Sequence, residues 1–150
     1  MPKAFAVLVD AENIPARHWQ TIREQLVPQG TILSCRIFGD FADGRCGKWL
    51  KIAREESLQT CMQLSGPNAS DIAITIAAMD LLQTGRFDAV ALVSSDSDLT
   101  PLAQRLRNGG IHVVGFGEMK TPHTLRKACT RFVELKPKAK PAPVARAVAA

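Results

Sequence analysis

Apolar positions fall in short runs at 5–9, 31–38, 59–64, 88–93 and 111–116, each rich in Val, Ile, Leu and Phe and too brief for a helix, so each predicts a strand. Between them lie segments of helical character at approximately 15–27, 46–57, 70–84, 99–108 and 122–131, with a last short strand at 132–135. Pro15 suits a first helical turn, and Ser70 is placed to cap an amide ahead of Asp71. Gly85 and Gly109 stand where a helix end turns left-handed. Strict alternation of strand and helix predicts an α/β fold: a doubly wound, mainly parallel sheet with helices on both faces and right-handed crossovers. If the first and fourth strands are neighbours, the order is about 3-2-1-4-5, and a ligand site is expected beyond the strand ends where the winding reverses.

Two apolar runs end in acid at that edge. Phe5-Ala6-Val7-Leu8-Val9 runs into Asp10, with Asn13 close behind, and Leu92-Val93-Ser94-Ser95-Asp96-Ser97-Asp98-Leu99 sets two carboxylates one residue apart. Asp71 opens the helix after the third strand and leans over the same edge. At an effective dielectric of about 20, two like charges roughly 6 Å apart repel by about 3 kcal/mol, so converging acids need shared protons or a cation. Oxygen donors without histidine or cysteine suit Mg²⁺ or Mn²⁺, held by Asp10, Asp71, Asp96 and Asp98, with Asn13, Ser94 and Ser97 assisting. Each acid also has a plainer explanation: Asp98 can cap the helix at Leu99, Asp71 can favour a helix dipole, and Asp10 can hold a turn with Asn13. Glu12, Asp40, Asp43, Asp80 and Asp88 read as surface or turn acids.

Composition narrows the classes. At 150 residues and 46% hydrophobic content the chain suits one globular domain, expected over 1–135. No apolar run approaches the ~20 residues of a membrane span. Asp10 and Glu12 also break the N-terminal stretch as a signal peptide would not, so the expected location is the cytoplasm. Cys35, Cys46, Cys61 and Cys129 show no zinc-ligand spacing and read as reduced thiols. His18, His112 and His123 lie near no nucleophile motif.

The net charge of +5 owes much to Lys136, Lys138, Lys140 and Arg146 in a Lys/Pro/Ala-rich stretch, 136–150, which reads as an extended tail or linker; the remainder is nearly neutral. Local clusters therefore matter more than the total. Arg45, Lys48, Lys51 and Arg54 recur every third residue beside Trp49, a band able to grip RNA phosphates while the indole stacks on a base, or else an ordinary solvated helix face with Trp49 in the core. Lys120, Arg126, Lys127 and Arg131 form a weaker second cluster.

Four ordered blocks, Val9-Asp10-Ala11-Glu12-Asn13, Asn68-Ala69-Ser70-Asp71-Ile72-Ala73-Ile74, Ala78-Met79-Asp80-Leu81-Leu82 and Ser94-Ser95-Asp96-Ser97-Asp98, resemble the NYN domains, the LabA-like branch of the PIN-like ribonucleases, over roughly 5–135. The resemblance implies a PIN-like sheet, Mg²⁺ or Mn²⁺ at Asp10, Asp71, Asp96 and Asp98, and endonucleolytic hydrolysis of RNA, single-stranded by expectation, by water activated at the metal. It also implies a bacterial setting in which many relatives append a winged-helix RNA-binding domain after a linker; a protein partner or a homo-oligomer fits equally. Ser95 stands where a glycine is common and Pro67 where many relatives carry lysine, and neither change removes a metal ligand. Two other readings stay open here. One is a catalytically weak RNA-binding or adaptor module. The other is a Toprim-like phosphotransfer domain, which normally carries glutamate where this chain has Asp10.

Overall fold

Six parallel strands form one sheet in the computed structural model, which describes residues 2–42, 44–64, 66 and 68–137. The strands are β1 (Lys3–Asp10), β2 (Gly30–Gly39), β3 (Gln59–Met62), β4 (Ala89–Val93), β5 (His112–Gly117) and β6 (Arg131–Glu134), in the order β3-β2-β1-β4-β5-β6. The expected order is thus observed, with the last short strand pairing parallel to β5. The helices are α1 (Trp19–Leu26, after a 3₁₀ turn at Ala16–His18), α2 (Gly47–Glu56), α3 (Ala69–Thr84), α4 (Thr100–Asn108) and α5 (His123–Ala128). None of the described helices is long and apolar enough to cross a membrane. Most of the stretch read as a tail, 138–150, lies outside the described residues, as do Asp43 and Pro67.

The central strands explain themselves through burial on both faces. Alternate side chains of a strand point to opposite sides. Phe5, Val7 and Val9 accordingly join Trp19, Ile22, Leu26 and Trp49 in one core beneath α1 and α2. Ala6 and Leu8 join Ile74, Ala78, Leu102, Leu106 and Leu125 in the other, beneath α3, α4 and α5. A strand buried on both sides reads as a continuous apolar run, as β1 and β4 do. The same alternation carries Asp10, next in step after Ala6 and Leu8, onto the face that α3 covers. Val9 pairs with Val93, so Asp10 leaves the sheet beside Ser94, which continues the face of Val90 and Leu92.

Two local expectations need correction, and the choice left open for Trp49 is decided. Gly85 does adopt the left-handed conformation after α3 (φ 68°), but after α4 it is Gly110 that does so (φ 85°), while Gly109 has φ −87° and takes its N–H back to the carbonyls of Arg105 and Leu106. Ser70 does not cap α3: Asn68 holds the N-cap position, and the Ser70 hydroxyl turns to Glu12 instead. The Trp49 indole belongs to the core, not to a surface that could stack on a base.

At the tip of β5 the chain needs a residue without a side chain. A Cβ on Gly117 would collide with Thr121 Oγ1 and come within 2.9 Å of the Ser94 carbonyl. Gly117→Ala is therefore expected to destabilise the protein by about 1–3 kcal/mol, since the obstruction on the strand side is backbone. Thermal unfolding checks this, and an unchanged midpoint would mean that the turn after β5 gives way freely.

Candidate functional site

Asp10 is fully buried at the end of β1. Its Oδ2 accepts a bond from Asn13 Nδ2 at 2.9 Å and another from Ser94 Oγ at 3.2 Å. Its Oδ1 is buried with no hydrogen-bond partner in the protein. The turn that returns Asn13 to Asp10 is fixed by two further bonds: Ile14 N–H donates to the Asp10 carbonyl at 3.0 Å, and Trp49 Nε1 donates to the Ile14 carbonyl at 2.7 Å.

Beyond β4 the polar chain continues. Ser94 Oγ accepts from the Asp96 amide at 3.1 Å, and Asp96 Oδ1 accepts from the Asp98 amide at 2.9 Å. Asp96, not Asp98, therefore caps the 3₁₀ turn Ser97–Leu99 that leads into α4. Asp71 enters from the first turn of α3, where the helix N-terminus favours a carboxylate. Carboxylate oxygens of Asp71, Asp96 and Asp98 all lie within 4.8 Å of one another. Asp10 stands outside that compact trio, yet near enough for its charge to act on Asp71.

Burial pushes the Asp71 carboxyl up to about 7, helped by its hydrogen bond to Asp96 and by the charges of Asp96, Asp10 and Asp98. Burial also raises Asp10, against the lowering effect of its bonds from Asn13 and Ser94. Such a cluster is relieved by a proton on Asp71 or by a cation among the oxygens. An all-carboxylate donor set is the chemistry of a hard divalent ion; the Glu12 and Asn13 amides also favour the charged form of Asp10, whose buried Oδ1 makes no hydrogen bond of normal geometry.

The raised Asp71 has a testable consequence. Between about pH 4 and 7 the folded protein keeps a proton that the unfolded chain has released. This carboxyl therefore favours folding fully below about pH 4 and progressively loses that contribution up to about pH 7. In EDTA the unfolding midpoint is expected to fall as pH rises across this window more steeply than in an Asp71→Asn variant. Millimolar Mn²⁺ should raise the wild-type midpoint by several degrees at pH 8 and by little at pH 5, because the ion and the proton compete. Scanning fluorimetry reads both; a Mn²⁺ effect independent of pH would place the ion elsewhere.

The other candidates separate cleanly. Ser94 is buried in the network, whereas Ser97 is exposed. Lys48, Lys51 and Arg54 are exposed on α2, with Trp49 buried beneath them, and the side chain of Arg45 lies outside the described residues.

Two residues at this edge escaped the sequence reading. Glu12, taken for a turn acid, receives the Ser70 hydroxyl at 3.2 Å and so ties the loop after β1 to the start of α3. Lys120, counted only in the weaker basic cluster, lines a cavity of about 170 Å³ with Asn13, Ser95 and Asp96. Its signal was topological: β5 neighbours β4, so the loop after β5 must emerge beside the Asp96 loop.

Compared with known proteins, residues 4–136 match the family model described as the NYN domain. No curated protein matches the chain.

Proposed function

The chain belongs to the NYN domain family, a PIN-like α/β fold, and from that premise we propose that it is a ribonuclease that hydrolyses RNA phosphodiester bonds with Mg²⁺ or Mn²⁺. The observation that carries this reading is the meeting of Asp71, Asp96 and Asp98 within 4.8 Å, with buried Asp10 close by, at the ends of the parallel strands where the winding order reverses between β1 and β4.

In this reading Asp71, Asp96 and Asp98 hold the ion and Asp10 completes its surroundings. A divalent ion in this place supplies Lewis acidity, lowering the pKa of water and offsetting charge on the phosphoryl oxygens. The protein's own work is arrangement. Asn13 and Ser94 fix one oxygen of Asp10 and leave the other available. The Asp98 amide fixes one oxygen of Asp96, so that carboxylate is oriented before substrate arrives. Ser94, bonded both to Asp10 and to the Asp96 amide, locks the two strand tips in register. Lys48, Lys51 and Arg54 provide an exposed basic face for flanking phosphates of a single strand.

The deciding experiment incubates the purified protein with end-labelled single-stranded RNA in Mn²⁺ or in EDTA. Cleavage is expected with Mn²⁺ alone and not by Asp71→Asn; RNA that is bound but left intact under both conditions would make the protein a binding module.

A further inference from the structure

The loop between β5 and α5 is built with more care than a connection requires. Its turn at 118–121 closes on itself: the amide and the hydroxyl of Thr121 both donate to the Glu118 carbonyl, at 3.0 and 2.6 Å. Arg126, from α5, then grips it from outside, giving Nε to the Thr121 carbonyl at 2.9 Å and Nη2 to the Met119 and Glu118 carbonyls at 3.0 and 3.4 Å. The guanidinium is itself held by Glu134 at 3.1 Å and lies over the Phe132 ring. On the inner side the Glu118 amide donates to Ser95 Oγ at 2.9 Å, tying the turn to the loop that carries Asp96.

This bracing fixes the backbone on both sides of Lys120. The Lys120 side chain is exposed and lines the small cavity with Asn13, Ser95 and Asp96. Among the described residues it has no ion-pair partner. Two other cations that touch this turn are committed, Arg17 lying 3.8 Å from the Glu118 carboxylate and Arg126 being bonded to Glu134. A lysine delivered by a rigid turn to the edge of an acidic cluster, and not neutralised there, is suited to an anion that must come close to those carboxylates.

We propose that Lys120 is a phosphate-binding residue of this site, contacting the RNA phosphate that lies at the acidic cluster. The inference rests on the ribonuclease reading for the identity of the anion. The lysine offsets the repulsion that the free carboxylates exert on an approaching phosphate, and the Arg126-braced turn holds it there at little entropic cost.

The test measures binding of a fluorescein-labelled, ten-nucleotide single-stranded RNA by anisotropy in EDTA, where no turnover intervenes, at several salt concentrations. It compares wild type with Lys120→Ala, Lys120→Arg and, as a control off the cavity, Lys127→Ala. Lys120→Ala is expected to weaken binding about tenfold and to lower the slope of log K against log salt by about 0.7, the loss of one phosphate contact to a single strand. Lys120→Arg should keep most of the slope. Affinity and slope unchanged in Lys120→Ala, or lost equally in Lys127→Ala, would overturn the proposal, as would a wild type that binds no RNA. The same RNA incubated with Mn²⁺ reports separately on the ribonuclease reading: if wild type binds through Lys120 but cuts nothing, the contact stands and the hydrolytic activity falls.

Discussion

Asp96→Asn should reduce Mn²⁺-dependent cleavage of single-stranded RNA by about a thousandfold or more while leaving the fold intact. The change is isosteric, and an amide oxygen can still accept the Asp98 amide, so the turn before α4 keeps its cap. What disappears is one negative charge from a group of three carboxylates within 4.8 Å. That loss removes a ligand charge from the proposed ion site and, in EDTA, relieves repulsion on Asp71. The variant should therefore unfold at an equal or higher temperature than wild type without metal, yet gain much less from added Mn²⁺. Opposite movements of stability and activity separate a lost active site from a damaged fold, because damage would lower both. Retained cleavage in a preparation free of contaminating nuclease would remove Asp96 from the mechanism.

The architecture was legible because the sequence states burial directly. β1 and β4 are covered on both faces and so appear as unbroken apolar runs, and the acids that end them mark the strand tips. Alternation of strands and helices then leaves few topologies, and the observed order is among them. The meeting of Asp71, Asp96 and Asp98 follows from that order, since α3 and the β4 tip border the same edge.

What could not be read depends on side-chain direction and on fine backbone choice. Gly109 and Gly110 are adjacent and chemically identical, and only the bonds closing α4 decide which becomes left-handed. Ser70 had a local amide to cap or Glu12, 58 residues away, to meet, and the second wins once β1 and α3 pack together. Lys120 looks like any surface lysine until the β5 tip is set beside the β4 tip. For Ser70 and Lys120 the deciding partner is distant along the chain, where spacing carries no information.

Trp49 joins the core to the site, and its variants are expected to show the largest effect on stability. It is almost wholly buried, meets Trp19 edge-on at 6.1 Å between ring centroids, and donates its N–H to the Ile14 carbonyl. Trp49→Ala should cost about 3–5 kcal/mol, lowering the unfolding midpoint by ten degrees or more. Trp49→Phe separates packing from the hydrogen bond: much of the apolar contact survives, but the Ile14 carbonyl loses its donor, at about 1–3 kcal/mol. Ile14 follows Asn13, whose side chain fixes one oxygen of Asp10. The phenylalanine variant, assayed well below its midpoint, should therefore still bind RNA through its unchanged basic face but cleave it more slowly. A stacking tryptophan would behave otherwise: its removal would weaken RNA binding with little change in midpoint, and RNA would quench its fluorescence in the wild type. Because the indole lies on the core side of α2, with Lys48, Lys51 and Arg54 exposed around it, neither outcome is expected. In the proposed reading the basic residues of the helix are left to meet RNA while its tryptophan holds the loop that orients Asp10.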